Sequence, residues 1–379
     1  MRFRCERDVL ADSLTTAQRA VTNRNAALPV LAGVRLELAG DTLRVTGTDL
    51  DLFVQVGVQV VGAVDGVAVV PARLAADIVR ALEPGVVTVE GSEDELRISS
   101  GRATFSVRTY VAADFPKVPA PAERSVAVPA AVLADALRQV VRAASTDEGV
   151  PIITGVLLAG EPGGLRLVAT DKYRLAVRDL PGVAVLAEGQ HVLVPARALG
   201  ELQRLLPTGE GAEVTLRLGD HDATFELAGS AEGDGHGNAR LTTRLIPGSF
   251  PDYRQLLISD YRNRLIVGKE PLLDALKRVK LLVRDTITSV RIHLQAETIS
   301  LTVATADVGT ATEDVDAKYE GEDLVVAFNP SYLIDGLEAI PGDEVLLQAQ
   351  DKQKQVTLTK HEPAAPAPDF LYLLMPVRV

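Results

Sequence analysis

Two short phrases recur three times along this chain in the same order, and this repeat constrains the fold more than any other feature. The first phrase is a predicted strand that leads into an aspartate corner, and its copies are LRVTGTDLDL (43–52), LRLVATDKYR (165–174) and LTVATADVGT (301–310). The second phrase is a strand followed by a short amphipathic helix, and its copies are residues 67–85, 192–209 and 324–342. The period is several times the roughly 20–50 residues of solenoid repeats, and each copy is long enough to bury its own core. We therefore predict three similar domains in a row.

Bulk composition is that of an ordinary globular protein. The length of 379 residues fits two or three domains of about 100–200 residues each. The single cysteine, Cys5, excludes an internal disulfide framework and is typical of a reducing compartment. The first residues are charged and lead into no apolar stretch, and no run approaches the roughly 18 apolar residues of a membrane span. We expect a cytoplasmic protein that does not bind membranes.

The distribution of charge is more informative than its sum. A net charge of −12 argues at first against a nucleic-acid partner. However, five of the six predicted helices are neutral or basic, so most of the acidity belongs to strands and loops; the helices are predicted at 5–24, 71–83, 129–142, 195–206, 269–284 and 330–340. This pattern is typical of a molecule that is acidic outside and basic along one inner surface.

Each repeat is predicted to contain two helices and an antiparallel sheet, which is an α+β layout. Alternating segments such as 33–38 and 103–109 indicate strands with one wet face. Proline-rich pieces at 116–121 and 247–251 indicate the joins between repeats. The predicted domains are residues 1–124, 125–257 and 258–379.

Basic residues on the predicted helices have a consistent phase. Arg73 and Arg80 are seven residues apart, and Arg138 and Arg142 are four apart, so each pair lies on one stripe of its helix. On the 71–83 helix a separate apolar stripe is predicted to face the core; it consists of Leu74, Ile78 and Leu82. Two further helices carry such a stripe, which consists of Arg197 and Arg204 in one and of Lys277, Lys280 and Arg284 in the other. A solvated outer face explains one basic stripe, but four in equivalent repeat positions favour a shared functional surface.

No catalytic, metal or cofactor site is predicted. The five histidines are scattered, and the chain has no HExxH, GxSxG or P-loop motif. Asp49, Asp171 and Asp307 belong to three different repeats, so we expect each to bond its own turn rather than to form an acid–base set. Aromatic residues make up only 4% of the chain and Trp is absent, which argues against stacking on single-stranded nucleic acid. Sequence-independent phosphate contacts remain.

Several further motifs identify a family. The repeat, SGRATFSV (100–107), AADFP (112–116), ATDKYRLA (169–176), FPDYR (250–254), FNPSY (328–332) and YLLMPVRV (372–379) together resemble the bacterial DNA polymerase III beta subunit, the sliding clamp, over essentially the whole chain. The resemblance implies the DNA clamp fold, in which two three-domain chains form a head-to-tail homodimer and close a six-domain ring around duplex DNA. It implies a non-catalytic processivity factor that needs no cofactor.

The resemblance and the helix phase together nominate a DNA-binding surface. The family's DNA contacts match Arg24 and Arg73 in this sequence. Helix phase alone adds six further cations, which are Arg80, Arg138, Arg142, Arg197, Arg204 and Lys277.

The resemblance also implies a peptide pocket between the second and third domains. It would receive clamp-binding peptides of the replicative DNA polymerase alpha subunit, the clamp loader, and other polymerases and repair proteins. The matching positions are Ile153, Thr170, Arg174, Leu175, Pro251, Leu256, Asn329, Tyr332, Met375, Pro376, Val377 and Arg378. Lys172 and Tyr173 stand where many relatives carry Gly-His, and Ile287 replaces a frequent aromatic residue. The matching dimer-interface positions are Phe105, Val107, Leu281 and Leu282.

Two other classes of function stay open at this point. A repeat-built protein scaffold that never meets nucleic acid is favoured by the net charge of −12. A hydrolase with an unrecognised site is the other alternative, although the sequence nominates no residue for it.

Overall fold

The computed structural model describes residues 1–21, 28–228, 238–258, 260–285, 288–362 and 368–377. Within these residues the α-helices are Arg7–Gln18 (α1), Ala72–Ala81 (α2), Ala130–Val140 (α3), Ala196–Leu205 (α4), Lys269–Val279 (α5) and Pro330–Ala339 (α6). Each helix lies inside a segment that the sequence predicts to be helical and ends earlier than predicted. Beyond α3 and α5 the backbone tightens into single 3-10 turns at Val141–Ala143 and Lys280–Leu282, as is common at helix ends.

Short antiparallel strands make up most of the remaining regular structure. In chain order they are Arg2–Glu6 (β1), Gly33–Ala39 (β2), Thr42–Thr48 (β3), Leu52–Gln59 (β4), Val61–Val64 (β5), Gly66–Pro71 (β6), Val86–Gly91 (β7), Glu95–Ser100 (β8), Ala103–Arg108 (β9), Val126–Pro129 (β10), Gly155–Glu161 (β11), Gly164–Thr170 (β12), Arg174–Pro181 (β13), His191–Pro195 (β14), Glu213–Leu218 (β15), Asp222–Leu227 (β16), Asn238–Arg244 (β17), Asn263–Gly268 (β18), Val290–Leu294 (β19), Thr298–Thr305 (β20), Gly309–Glu320 (β21), Leu324–Phe328 (β22), Glu344–Ala349 (β23), Val356–Lys360 (β24) and Phe370–Leu374 (β25).

The first of two compact units comprises residues 1–134 and 197–245. It contains a five-stranded sheet in the order β5-β1-β7-β8-β9 and an eight-stranded sheet in the order β10-β15-β16-β17-β4-β3-β2-β6. The larger sheet joins strands of the first repeat to strands of the second, because β4 pairs antiparallel with β17. The backbone itself therefore connects these two repeats.

The second unit comprises residues 135–196 and 246–379. Its strands form one sheet in the order β14-β11-β12-β13-β25-β24-β23-β18-β21-β20-β19-β22. Here β13 of the second repeat pairs antiparallel with β25, the last strand of the third. The second repeat thus contributes strands to both units, and each of its neighbours is attached to it by a strand pair of the same kind.

Helix α2 packs differently from the sequence-based expectation. It contacts α1 and buries Ala72, Ala75, Ala76 and Val79, while Leu74 is 49% exposed. The predicted core stripe was wrong for Leu74, because the helix turns its small residues towards its neighbour. Alanine side chains permit close approach of two helices, so the largest apolar residue does not define the buried face.

Candidate functional site

Two of the repeats contain an aspartate corner, and the corner of the second repeat borders the predicted peptide pocket. The Asp49 Oδ1 atom accepts hydrogen bonds from the backbone N–H groups of Asp51 (3.1 Å) and Leu52 (2.8 Å). In the second repeat Asp171 Oδ1 accepts from those of Tyr173 (3.0 Å) and Arg174 (3.0 Å). For these two repeats the prediction that the aspartate bonds its own turn is confirmed.

The corner of the second repeat holds a non-glycine residue in the left-handed region. Lys172 has a φ of 81°, a conformation that L-residues rarely adopt. The Asp171 bonds stabilise this turn, and the Thr170 hydroxyl closes it by donating to the Arg174 carbonyl at 2.6 Å. The corner thereby fixes the point at which β13 begins.

Arg174 lies buried directly behind this corner. Its Nε donates to Asp171 Oδ2 at 2.9 Å and its Nη1 donates to Asp335 Oδ2 at 2.6 Å. Its guanidinium carbon lies 4.3 Å from the centroid of the Tyr332 ring. Burial alone would lower the pKa of Arg174, but the hydrogen bonds and nearby negative charges raise it above its ordinary value. Arg174 therefore supports the rim of the predicted pocket from beneath.

Two tyrosines cover this buried ion pair. The ring of Tyr173 stacks on that of Tyr332, with centroids 6.4 Å apart and an interplanar angle of 24°. Tyr173 is 60% exposed, and its backbone carbonyl accepts from the Met375 N–H at 2.8 Å. An exposed aromatic platform is therefore held beside the end of β25.

An apolar cluster lies next to the platform. Leu175, Tyr253 and Leu373 are buried in one group with side chains of β11, β12 and β14, and Phe250 and Met375 pack against it partly exposed. Partly exposed apolar side chains over a buried floor are suited to anchoring an apolar peptide residue. The structure thus brings the predicted residues Leu175 and Met375 together.

The remaining predicted pocket residues have separate roles. Asn329 caps α6, since its Oδ1 accepts from the N–H groups of Ser331 (2.9 Å) and Tyr332 (3.4 Å). Ile153 is buried, Leu256 and Val377 are exposed, Pro251 is exposed and Pro376 is half-buried. Arg378, like Ile287, lies outside the described residues.

Sequence reasoning missed part of the floor. Phe250 and Tyr253 belong to the FPDYR segment, and Leu373 belongs to YLLMPVRV; both segments were used for these residues only as family motifs. Asp335 was also missed, because nothing in the sequence indicates that it reaches Arg174 across 161 positions. The aromatic residues in FPDYR were the one signal that pointed to the floor.

The predicted DNA-contacting cations have carboxylate partners. The seven that the structure describes each lie within 4.0 Å of a carboxylate oxygen, in the pairs Arg73–Asp77, Arg80–Asp77, Arg138–Asp135, Arg142–Glu338, Arg197–Asp49, Arg204–Glu201 and Lys277–Glu338. Arg24 lies outside the described residues. Arg73 and Arg80 share Asp77, and Arg142 and Lys277 share Glu338, so these carboxylates neutralise part of the charge of the predicted stripes.

The candidate dimer residues divide into two kinds. Phe105 is 40% exposed and Leu281 is 78% exposed. Val107 is buried and Leu282 is half-buried, so these two contribute to the core of the chain itself. Leu74, which was expected in the core, joins the exposed group.

The described residues offer no arrangement of three or more His, Cys, Asp or Glu side chains that could hold a metal ion. No helix in the described part of the chain is long and apolar enough to cross a membrane.

Comparison with known proteins identifies the family. Residues 1–119, 127–252 and 254–378 match the N-terminal, central and C-terminal domains of the DNA polymerase III beta subunit. This chain belongs to the DNA polymerase III beta subunit family. A beta sliding clamp of Streptomyces coelicolor is 33% identical to it over 387 residues, which cover 100% of both chains. By this membership the chain has three domains and is a non-catalytic sliding clamp.

Solved structures of the family have the same fold. The DNA polymerase sliding clamp of Bacillus subtilis superimposes with a TM-score of 0.89 at 27% identity, covering 100% of this chain and 99% of that chain. The sliding clamp of Bartonella birtlesii, which was crystallised bound to griselimycin, gives a TM-score of 0.89 at 29% identity and covers 100% of both chains.

We predict that Arg174→Ala destabilises the protein by about 3–5 kcal/mol, because it leaves two carboxylates without their buried partner. The matched control is Arg254→Ala, which removes an exposed guanidinium paired with Glu161 and is expected to cost no more than about 1 kcal/mol. Urea unfolding followed by circular dichroism measures both. Equal losses would show that the Arg174 pairs contribute no more than a surface ion pair.

Proposed function

We propose that two copies of this chain close head to tail into a ring around duplex DNA, and that the ring tethers replication and repair proteins. The proposed domains are residues 1–124, 125–257 and 258–379. The ring would be retained by topology, with sequence-independent contacts to phosphates from the cations of the helices. The proposal rests on one kind of strand pair. This pair joins the repeats at both junctions within the chain, whereas the corresponding strands of the first and third repeats have no such partner among the described residues.

The two internal strand pairs have the same register. Val54 of β4 lies opposite Leu241 of β17, and Ala176 of β13 lies opposite Tyr372 of β25. On its other side Val54 lies opposite Gly47 of β3, and Ala176 lies opposite Ala169 of β12. In the third repeat the strand pairing differs by two residues from the sequence alignment on Asp307, because Thr302 takes the place of Thr46 and Val168. The equivalent positions are therefore Val303 and Ala311, which lie opposite each other in β20 and β21.

The strand that would meet β21 is β9 of a second copy. Leu241 and Tyr372 lie opposite Phe225 and Leu358, and the equivalent pair in the first repeat is Phe105 with Ile98. Among the described strands, β9 is at the edge of its sheet, and residues 309–316 of β21 pair on one side only. Extending the internal register places Phe105 opposite Ala311 of the other copy.

Burial supports this contact. Leu241 is 0% and Tyr372 is 2% exposed at the internal strand pairs, whereas Phe105 is 40% exposed. Charges are complementary as well, because the same register places Arg102 opposite Asp314. An unpaired edge with an exposed aromatic residue is a liability unless another strand covers it. Because the contact joins different surfaces, it forms a ring only when the rotation closes.

Helix ends would add to the same contact. Leu281 is the thirteenth residue from the start of its helix, and Arg19 and Arg142 occupy that place in the other repeats. Arg19 pairs with Glu201 at 3.5 Å, and Arg142 pairs with Glu338 at 2.8 Å, each on the second helix of the following repeat. By the same rule Leu281 would meet α2 of the other copy, where Leu74 is exposed.

We predict that Phe105→Cys combined with Ala311→Cys gives a covalent dimer on oxidation. Directly opposed residues of antiparallel strands have Cα atoms about 4.5–5.5 Å apart, which is within the range for a disulfide. The native Cys5 does not interfere, since burial raises the pKa of its thiol to about 11. Non-reducing electrophoresis measures the product. The matched control, Phe105→Cys with Lys318→Cys, is expected to stay uncrosslinked. A monomeric product from the first variant would exclude the proposed register.

Retention on DNA tests the function itself. The double-cysteine variant is first loaded on nicked circular duplex by the clamp loader and is then oxidised. We expect the crosslinked dimer to stay on the circle through gel filtration in high salt. Cutting the circle once is expected to release it, because a topological link ends at a free end. A protein scaffold would show no difference between circular and linear DNA, and that result would overturn the proposal.

The proposed peptide site consists of the tyrosine platform and the apolar cluster beside β25. Its composition supports binding of a short linear peptide with an apolar anchor, as in the clamp-binding tails of a polymerase alpha subunit, the clamp loader and other polymerases and repair proteins. Pro376 and Val377 directly follow Met375, which packs against the cluster. The Val377 N–H donates to the Ala327 carbonyl at 2.8 Å.

We predict that deleting residues 376–379 weakens binding of a polymerase-tail peptide at least tenfold, since the deletion removes one wall of the site. Fluorescence anisotropy of a labelled peptide measures the affinity. Sedimentation of the deletion variant serves as the control, because the proposed dimer contact lies elsewhere and the dimer is expected to persist. Unchanged peptide affinity would remove this assignment.

A further inference from the structure

Glu338 contacts three of the proposed DNA-contacting cations, two through its carboxylate and one through its backbone carbonyl. Arg142 Nη1 donates to Glu338 Oε2 at 2.8 Å, and Lys277 Nζ lies 3.5 Å from Glu338 Oε1. Arg138 Nη1 donates to the backbone carbonyl of Glu338 at 3.0 Å. Cations from two repeats thus converge on a single residue of α6.

Glu338 carries a full negative charge in this environment. Burial alone would raise its pKa, but the hydrogen bond from Arg142 and the positive charges of Arg142 and Lys277 lower the pKa below its usual value. A charge-assisted bond to a carboxylate has the same geometry and sign as a bond to a phosphate oxygen. The Glu338 carboxylate therefore pairs with Arg142 and Lys277 in the way that a DNA phosphate would.

The first unit has a related carboxylate, although it lies at a different position of its helix. Glu201 of α4 pairs with Arg204 on its own helix and with Arg19, whose Nη1 lies 3.5 Å from Glu201 Oε2. The side chain of Glu201 is only 14% exposed. In both units, then, a carboxylate on the second helix of a repeat pairs with the arginine that follows the first helix of the preceding repeat.

We propose that Glu338 and Glu201 are internal competitors for DNA phosphates and set how weakly the ring holds its DNA. This inference rests on the proposed clamp function. A free cation that binds a phosphate releases solution ions, which favours binding. Arg142 and Lys277 must first break their ion pairs with Glu338, so each phosphate contact contributes less binding free energy. A ring that is retained by topology needs such weak contacts in order to move along DNA.

The test compares Glu338→Gln with Glu297→Gln in the full-length protein. The first substitution removes the carboxylate nearest to Arg142 and Lys277 and leaves Asp335 at 3.7 Å from Arg142. It keeps the side-chain shape and the carbonyl that accepts from Arg138. The second makes the same change in net charge in a turn between β19 and β20, where Glu297 forms no ion pair among the described residues. Fluorescence anisotropy with a nicked duplex measures affinity over a range of salt concentrations.

We expect Glu338→Gln to bind duplex about threefold or more tighter than Glu297→Gln. Its plot of log affinity against log salt is expected to steepen by about one phosphate contact. A merely structural role for Glu338 would weaken binding or leave it unchanged. Glu201→Gln repeats the test in the first unit and decides the matter should Glu338→Gln fail to fold or dimerise.

Other outcomes separate this inference from the proposed function. If the wild-type protein stays on circular DNA while both glutamine variants bind like Glu297→Gln, the competitor role is wrong and the clamp function stands. If the wild-type protein is not retained on circular DNA, the clamp function fails and this inference fails with it.

Discussion

Backbone hydrogen bonds between β4 and β17, and between β13 and β25, are the interaction on which the remainder of this structure depends. They turn three separate repeats into continuous sheets, and they do so in one register. A shift of one residue would turn every side chain of β17 or β25 to the opposite face. The buried positions Leu241 and Tyr372 would then face solvent, so packing and hydrogen bonding select the same alignment.

The functional sites are attached to these strand pairs. The aspartate corner precedes β13, and the tyrosine platform forms where β13 meets the end of β25. Arg174 is the structural centre of this region, because it connects the corner to α6 through Asp171 and Asp335. The proposed peptide site therefore lies at the junction between two repeats, and neither repeat contains it alone.

Sequence reasoning predicted the helices and the α+β character well, because amphipathic periodicity and turn residues are local signals. The family motifs also nominated the residues of the proposed pocket. The order of strands in the sheets could not be predicted from the sequence, because pairing across a repeat boundary depends on contacts between residues that are distant in sequence. Leu74 shows a second limit: its size suggested the core, but the alanines of α2 occupy the interface with α1. Glu338 shows a third, because a count of charges cannot reveal which cations share one carboxylate.

The contrast between Leu281 and its counterparts Arg19 and Arg142 has a thermodynamic consequence. The junctions inside the chain carry ion pairs at this position, whereas the junction between copies would carry an aliphatic contact. Apolar association weakens on cooling and is strengthened by excluded salts such as sulfate, while exposed ion pairs are screened by any salt. In the proposed ring, cold, dilute buffer would therefore loosen the two seams between subunits while leaving the internal junctions firm, so the ring would open at a seam and not within a chain.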